Sequence, residues 1–391
     1  MKRLLLLVSC FVCAGAFAQD ADKAIESVKE KLALDDRTSV FEVKAVPTNG
    51  PTVLTGETSV PQAKEELLGM LKEQGIETID AITLLPDKKA LDGKIYGVIR
   101  IPVGTLRYGP SYASEQATQL LMGTPVRILK KEGWYLVQTP EDYVSWVSSS
   151  SVEPMTRQQF NEYLSHKKLI FLSDEGWIYE KPDASSARIA SVVVGALLLD
   201  KGSKGKYAHV ELPDGRKGYV LKKDVTDFDQ WRKETRPTAG NVLKNAYRFM
   251  GTPYLWAGTS ADMLDCSGFT KTVYMINGVV LARDASQQYL TGQSVDISQG
   301  YDKLQPGDLV FFGSRNADGT PKRVWHVGIY VGDGRFIHEA GDVHVNSFNP
   351  EHPEYSQSYV DILVHASRII GNEDKGLGIT SYENNPYFAQ Q

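Results

Sequence analysis

The spacing of hydrophobic and polar positions changes several times along the chain and divides it into segments. The first of these after residue 18 is a small N-terminal module over residues 19–94. Helical and strand-like periods alternate within this module, which is typical of an α/β unit. Pro61 suits the first turn of its second helix, and Gly75 suits the position just after the last turn. The predicted elements are a helix over 24–34, strands over 40–46 and 52–55, and a helix over 61–74.

Residues 95–228 show a different pattern, in which short strand-like runs alternate with turns rich in Gly, Pro, Asp and Ser. An offset of 73 residues aligns this stretch with itself and superposes aromatic and valine positions. The superposed pairs are Trp134 and Tyr207, Val137 and Val210, Trp146 and Tyr219, and Val147 and Val220. Short strands in two copies predict two small β barrels over residues 95–155 and 167–228, joined by a short helix over 156–166.

The last unit, residues 237–370, begins with helical spacing and continues with strands, which is the order of an α+β domain. Apolar positions predict a helix over 241–250 and strands over 309–312 and 324–331. The predicted fold class of the chain is therefore α+β, with two β barrels and a small α/β module ahead of the last domain. We expect the polar tail, residues 371–391, to lie over the surface.

The charge balance argues against one class of partner. The 391 residues include 43 Lys and Arg against 48 Asp and Glu, a net charge of −5. Nucleic-acid binding requires a basic surface, which this balance does not indicate, so we expect no nucleic-acid partner. The hydrophobic share of 42% is enough for several packed cores.

Residues 1–18 have the features of a signal peptide, because two basic residues precede an apolar stretch and Ala16-Phe17-Ala18 forms a small-x-small cleavage pattern. The apolar stretch is shorter than the roughly 20 residues of a membrane span, and no later stretch is long enough, so we expect no transmembrane segment. Cleavage after Ala18 predicts a periplasmic or secreted protein. The residues before Cys10 also resemble a lipoprotein-processing site, which leaves a lipid anchor as the alternative.

Cys266 is the only cysteine outside the predicted signal peptide, because the other two lie at positions 10 and 13. No intramolecular disulfide can form after cleavage, and the thiol is either a buried apolar group or a reactive one. Phe269, Val273 and Ile276 follow at helical spacing, which places Cys266 in the first turn of a predicted helix. A helix dipole and a nearby imidazole stabilise a thiolate, the nucleophilic form of cysteine.

His326 and His338 are the candidate partners of this thiol, and the loop between their strands decides whether they meet. A two-residue turn would place the two histidines on different faces of the sheet. A three-residue loop with Gly334 at positive φ keeps the isoleucines of both strands on the core face and sets His338 opposite Gly328, diagonal to His326. The apolar match favours the longer loop. His338 then accepts a hydrogen bond that selects the tautomer of His326.

These residues also have ordinary structural interpretations, since most isolated Cys and His residues in a chain of this length have no catalytic role. A zinc site formed by Cys266, His326 and His338 is a further alternative. No CxxC pair or HExxH motif occurs after residue 18. We therefore expect neither a metal nor another cofactor.

The segment from Ala239 to Ile370 resembles the NlpC-type cell-wall cysteine peptidases, a papain-like family. Six elements match in the family's order: Gly251 to Trp256, Asp265 to Phe269, Arg283-Asp284, Pro306 to Phe312, His326 to Tyr330 and Phe336 to His338. The resemblance implies Cys266 as nucleophile, His326 as base and His338 as its orienting partner. It also implies that Tyr254 and the Cys266 backbone N–H hold the oxyanion. The barrels resemble bacterial SH3-like domains, and the N-terminal module resembles BON-like modules.

One type within this family, the γ-D-glutamyl-L-diamino acid endopeptidases, also has SH3-like domains ahead of its catalytic domain. In that type, acidic and tyrosine side chains hold the free N-terminal amine of the substrate. The matching residues are Asp284 in the last domain and Glu115 and Tyr143 in the first barrel. Asp265 and Ser267 flank the nucleophile and are expected to touch the substrate. A blocked amine would leave the carboxylates without their charge-assisted partner.

The resemblance therefore implies a cysteine peptidase that cleaves the γ-D-Glu to L-diamino acid bond of peptidoglycan-derived peptides with a free N-terminal L-Ala, releasing L-Ala-D-Glu. We expect it to act as a monomer. One alternative is an endopeptidase or amidase that acts on intact peptidoglycan. Another is a non-catalytic protein whose SH3-like barrels bind the wall.

Overall fold

The computed structural model of the protein describes residues 19–389, and the predicted signal peptide lies outside them. The described chain forms a small N-terminal module, two β barrels and a mixed α and β domain. Among the helices of residues 19–389, none combines the length and the apolar character needed to cross a membrane.

In the N-terminal module two helices pack against a three-stranded sheet. The elements are α1 (19–31), β1 (Phe41–Val46), β2 (Thr52–Thr58), α2 (Pro61–Glu73) and β3 (Thr78–Leu84). Strand β2 pairs antiparallel with β1 and parallel with β3, and Leu54, Leu67 and Leu71 have no exposed surface. The analysis of the sequence did not predict β3, because Ile82 is its only buried residue and a strand exposed on both faces lacks apolar alternation.

Each barrel is built from seven strands. The first contains β4 (Tyr96–Ile99), β5 (Val103–Arg107), β6 (Gln116–Leu121), β7 (Pro125–Glu132), β8 (Trp134–Gln138), β9 (Val144–Ser148) and β10 (Val152–Met155), hydrogen-bonded in the order β10-β4-β7-β8-β9-β5-β6. The second contains β11 (Lys168–Phe171), β12 (Glu175–Tyr179), β13 (Arg188–Val193), β14 (Leu197–Lys204), β15 (Tyr207–Glu211), β16 (Lys217–Leu221) and β17 (Val225–Asp227), in the order β13-β12-β16-β15-β14-β11-β17. The predicted repeat places β8, β9 and β10 at the positions of β15, β16 and β17, and helix α3 (Arg157–Ser165) joins the barrels.

The last domain places its helices around a six-stranded antiparallel sheet with the order β21-β26-β22-β23-β24-β25. The helices are α5 (Ala239–Arg248), α6 (Cys266–Ile276), α7 (Ala285–Gln288) and α8 (Gln357–Ile362), whereas α4 (Phe228–Glu234) packs against β11 and β17 of the second barrel. The strands are β18 (Thr259–Ser260), β19 (Met263–Leu264), β20 (Val279–Val280), β21 (Gln293–Ser294), β22 (Leu309–Arg315), β23 (Pro321–Gly332), β24 (Arg335–Glu339), β25 (Val343–Ser347), β26 (Leu363–Arg368) and β27 (Thr380–Ser381). Single 3₁₀ turns cover Ser149–Ser151, Lys222–Asp224 and Pro386–Phe388.

Helix α6 packs on the face of the sheet formed by alternate residues of β23. Phe269 and Val273 of α6 and Val327 and Ile329 of β23 have no exposed surface and share one apolar core. Burying each such side chain stabilises the fold by about 1.5 to 3 kcal/mol relative to leaving it exposed. The first residue of α6 is therefore held by a well-packed helix next to the central strands.

The C-terminal tail is packed into the domain, so the expectation that it only lies over the surface was wrong. Strand β27 pairs with β20, and Phe388 is buried with 6% of its surface exposed. The Phe388 ring contacts those of Phe228 and Tyr382. The prediction failed because it relied on the average polarity of the tail. Most of the tail residues are polar and face solvent, but a few apolar ones pack against the rest of the protein.

The first barrel contacts the domains on both sides of it. Val40 of the N-terminal module packs with Leu129 and Leu136 of the barrel. On the other side, the Thr259 backbone N–H donates to Oε1 of Gln119 at 2.9 Å, and the Thr259 hydroxyl donates to the Gln119 carbonyl at 2.8 Å. These buried contacts bring the N-terminal module and the barrel to the same side of the last domain.

Candidate active site

Cys266 lies at the start of α6, as its sequence context predicted. Asp265 precedes the helix, and its Oδ1 accepts a hydrogen bond from the Gly268 backbone N–H at 2.6 Å. The thiol side chain reaches a cleft of about 450 Å³, although Cys266 is 93% buried, with 7% of its surface exposed. A helix N-terminus favours negative charge, so the position suits a nucleophilic sulfur.

Burial disfavours a charge on both the Cys266 thiol and the His326 imidazole. Burial raises the pKa of the Cys266 thiol to about 12, with the charge of Asp265 adding to the effect, and outweighs the backbone N–H groups of Val327 and Ser267 that favour the thiolate. Burial lowers the pKa of His326 to about 4. Burial therefore opposes the thiolate that the helix N-terminus favours, so attack by the sulfur requires a base that takes its proton.

The strand register that brings His326 and His338 together is confirmed. Gly328 pairs with His338 and Ile329 with Ile337. The predicted three-residue loop is wrong: Gly332 pairs with Arg335, so the turn consists of Asp333 and Gly334, both at positive φ, and a β-bulge between Tyr330 and Gly332 keeps the two isoleucines opposite each other. A Cβ atom added to Gly328 would lie 3.0 Å from the Cβ of His338, so the absence of a side chain at this position makes room for the second imidazole.

A chain of hydrogen bonds determines which nitrogen of His326 carries the proton. Nε2 of His326 lies 2.8 Å from Nδ1 of His338, and Nε2 of His338 lies 2.9 Å from Oδ1 of Asn346. Asn346 is itself oriented, because its Nδ2 donates to the Glu354 carbonyl at 3.2 Å. An amide oxygen only accepts, so His338 donates from Nε2 and accepts at Nδ1. His326 then donates from Nε2, and its Nδ1 keeps the lone pair of a base.

Asn346 is a site residue that the sequence analysis missed. It lies on β25, whose His344 is paired with His338, and strand alternation puts residues 344 and 346 on the same face. The only signal in the sequence was this period of two, which does not distinguish an exposed edge strand from one that completes a site. Burial lowers the pKa of His338 to about 3, so the second imidazole also remains neutral.

Tyr254 lines the same cleft as Cys266. Its backbone N–H donates to the Gly341 carbonyl at 3.0 Å, which attaches its loop to the turn after β24. Burial, together with the negative charge that Cys266 and Asp265 can carry, raises the pKa of the Tyr254 phenol. The hydroxyl therefore stays protonated and is available as a donor to an oxyanion.

Asp265 and Ser267 hold a buried arginine. Arg283 has 1% of its surface exposed; its Nη2 donates to Asp265 at 2.7 Å and its Nη1 donates to the Ser267 hydroxyl at 2.9 Å. Its Nε donates to the Thr118 hydroxyl of the first barrel at 2.8 Å. Asp265 and Ser267 still belong to the cleft wall, but their main partner here is the protein itself. This arrangement ties the nucleophile's helix to the barrel.

Asp284 and Tyr143 meet, as the resemblance implied. The buried Tyr143 hydroxyl donates to Oδ2 of Asp284 at 3.3 Å, and burial raises the pKa of this phenol, so it remains a donor. A third residue reaches the same oxygen: Nη1 of Arg37, from the N-terminal module, donates to Asp284 Oδ2 at 2.8 Å. Nothing in the sequence pattern indicated this contact, because the two residues are far apart along the chain.

Glu115 is the predicted site residue that the structure keeps apart from the others. It precedes β6, its side chain is exposed, and it does not contribute to the cleft wall, which the first barrel forms with Tyr108 and Ala117. The loop before β6 directs this carboxylate into solvent. Of the two predicted barrel residues, Tyr143 is the one that contacts Asp284.

The antiparallel sheet, the helix that presents Cys266 and the imidazole pair behind it define a papain-like cysteine peptidase. A model of the NlpC/P60 family matches residues 251–364, and a model of the bacterial dipeptidyl-peptidase Sh3 domain matches residues 106–152. The γ-D-glutamyl-L-lysine dipeptidyl-peptidase of Bacillus cereus is 31% identical over 235 residues, which cover 58% of this chain and 68% of that protein. The chain belongs to the NlpC/P60 family of cysteine peptidases.

Two further comparisons agree with this assignment. Dipeptidyl-peptidase 6 of Lysinibacillus sphaericus is 26% identical over 268 residues, covering 63% of this chain and 90% of that protein. The crystal structure of an NlpC/P60 family protein from Bacillus cereus superposes with a TM-score of 0.60 at 24% identity, covering 70% of this chain and 99% of that one. The latter comparison shows the shared fold.

Proposed function

We propose that the protein hydrolyses the γ-D-glutamyl to L-diamino acid bond of peptidoglycan-derived peptides that begin with a free L-alanine, and releases L-Ala-D-Glu. The relatives in Bacillus cereus and Bacillus subtilis are named γ-D-glutamyl-L-lysine dipeptidyl-peptidases, which supports this substrate class. A recycling or remodelling role for wall peptides follows from it.

The observation that carries the proposal is that Cys266 and Asp284 line one cleft. Asp284 presents a carboxylate, and Tyr143 holds it in place. A peptide whose ammonium binds Asp284 therefore enters the same cleft as Cys266, which suits cleavage near a free N-terminus. A charge-assisted hydrogen bond to the ammonium favours a free N-terminus over an acylated one.

The reaction proceeds through an acyl-enzyme. Nδ1 of His326 takes the proton of Cys266 as the sulfur attacks the γ-carbonyl of D-Glu, and Tyr254 donates to the oxyanion. His326 then returns this proton to the amine of the diamino acid as the C–N bond breaks. Water, deprotonated by His326, attacks the thioester and releases the dipeptide, and the thiol regains its proton.

The test compares hydrolysis of L-Ala-γ-D-Glu-diaminopimelate with that of its N-acetylated form by the wild type, by Cys266→Ala and by Asp284→Asn. We expect turnover of the free peptide alone, no turnover by Cys266→Ala, and a raised KM in Asp284→Asn. Equal rates on both peptides would refute the requirement for a free amine. Turnover by Cys266→Ala would refute the thiol mechanism.

We also propose that the protein is exported to the periplasm or secreted, on the basis of its first 18 residues. Mass spectrometry of the mature protein from cell fractions tests this. A chain that begins at Gln19 and is found outside the cytoplasm would support cleavage after Ala18. A mature chain that begins at a lipid-modified Cys10 would instead establish the lipid anchor.

A further inference from the structure

The N-terminal module sends one turn, residues 35–39, to the edge of the cleft. The guanidinium of Arg37 at its centre lines the same cleft as Cys266 and Asp284. Neither matched family model includes this module, since the matches begin at residue 106. The turn therefore adds to the site a residue that the catalytic domain and the first barrel do not supply.

The turn itself holds the guanidinium in place. Nε of Arg37 donates to Oδ1 of Asp35 at 2.9 Å, and Nη2 donates to Oδ2 of Asp35 at 2.7 Å. Two parallel hydrogen bonds of this kind fix the orientation of the guanidinium plane. Nη1 is left to face the catalytic domain, where it donates to Oδ2 of Asp284 and to the hydroxyl of Ser286, both at 2.8 Å.

Contacts with the two neighbouring domains also fix the turn. The Val144 backbone N–H of the first barrel donates to the Arg37 carbonyl at 2.7 Å, and Gln138 donates to the Thr38 carbonyl at 3.1 Å. From the catalytic domain, Gln287 donates to Asp35 at 3.3 Å. The position of Arg37 is therefore built into the packing of three domains and does not depend on a single surface ion pair.

Arg37 already binds the carboxylate of Asp284, which an incoming ammonium would also need. Both cations would bind the carboxylate of Asp284, whose Oδ2 already accepts from Arg37 and Tyr143, and two positive groups on one carboxylate repel each other. The Arg37–Asp284 pair is partly accessible, with 33% and 25% of the two side chains exposed, so exchange with a solvent-borne cation requires no unfolding. Because the guanidinium keeps both of its hydrogen bonds to Asp35 when it releases Asp284, the exchange breaks only the contacts made by Nη1.

We propose that Arg37 is a specificity-determining residue of the N-terminal module, a cation that holds Asp284 until the ammonium of a peptide substrate takes its place. This inference rests on the proposed function and extends it to the N-terminal module. A substrate with a free ammonium replaces one ion pair by another. An N-acylated peptide offers no cation, so Arg37 stays on Asp284 and keeps the amine end of the cleft occupied.

The test measures kcat and KM for L-Ala-γ-D-Glu-diaminopimelate with the wild type, Arg37→Met and Arg37→Lys. Methionine keeps an unbranched side chain and removes the charge. We expect Arg37→Met to lower KM about threefold to tenfold with kcat unchanged, because the ammonium no longer competes with a guanidinium. Arg37→Lys restores a cation and should return KM towards the wild-type value.

The matched control is Glu57→Gln, which removes another ion pair between the N-terminal module and the first barrel, that of Glu57 with Lys130, away from the cleft. It should leave KM unchanged, and thermal unfolding confirms that each variant is folded. A KM that is unchanged or raised in Arg37→Met, or lowered equally in Glu57→Gln, would overturn the role of Arg37 alone. A wild-type enzyme that does not hydrolyse the free-amine peptide would overturn the proposed function, and with it this inference.

Discussion

Replacing Asn346 by alanine tests the hydrogen-bond chain that orients His326, the proposed base. The variant removes the acceptor of the His338 Nε2–H, which lies 2.9 Å from Oδ1 of Asn346, and His338 has no exposed surface. His338 then becomes more stable with its proton on Nδ1, because a proton left on Nε2 would have no acceptor. The same nitrogen can no longer accept from His326, so His326 turns its own proton towards the thiol, in the tautomer that cannot act as a base.

The size of the effect follows from the buried donor. A buried donor left without its acceptor costs about 1 to 3 kcal/mol, which corresponds to a loss of about fivefold to 150-fold in the population of the correct tautomer. The smaller population of the correct tautomer should lower kcat, because Asn346 acts on the reaction only through the two imidazoles. KM should change little, since Asn346 is not among the residues that line the cleft.

The assay measures kcat, KM and the pH profile of peptide hydrolysis for the wild type, Asn346→Ala and Asn346→Asp. Aspartate keeps an acceptor oxygen and should rescue kcat, while its charge raises the pKa of His338 and moves the acidic limb of the profile to higher pH. Asn316→Ala, on the hairpin between β22 and β23, serves as a control that loses an asparagine hydrogen bond elsewhere. A kcat for Asn346→Ala within twofold of the wild type would refute the tautomer argument.

Three further predictions follow from the packing around the site. Gly328→Ala places a methyl group 3.0 Å from the His338 Cβ, so we expect a loss of kcat with little change in KM in the peptide assay. Glu339 is fully buried, neither of its carboxyl oxygens has a hydrogen-bond partner within residues 19–389, and burial raises its pKa to about 8. The protonated carboxyl is therefore the stable folded form: stability falls as the pH rises from about 4.5 to about 8, and Glu339→Gln should remove this fall in melting temperature. Phe388→Ala should lower the free energy of unfolding by about 3 kcal/mol in urea titrations, because its ring is buried; a change below about 0.5 kcal/mol would show that the tail is not anchored.

Local patterns in the sequence were sufficient to predict where Cys266, His326 and His338 lie in the fold. Helical spacing placed Cys266 at the start of α6, and the matching of apolar residues across β23 and β24 selected the register that sets His338 opposite Gly328. Both inferences depend on residues close together in the chain, where the period of a helix or strand is a direct consequence of backbone geometry. The repeat at an offset of 73 residues predicted two barrels because each copy carries its own local pattern of strands and turns.

Contacts between distant parts of the chain were decided only by the tertiary structure. Apolar periodicity says which face of an element is buried, but not which polar groups meet when separate domains pack together. Arg37 reaches Asp284, Arg283 joins Asp265 to Thr118, and Asn346 completes the imidazole pair because three domains and an edge strand dock around one cleft. Thus the positions of Cys266 and His326 follow from local chain geometry, whereas the orientation of His326 and the contacts of Asp284 follow from long-range packing.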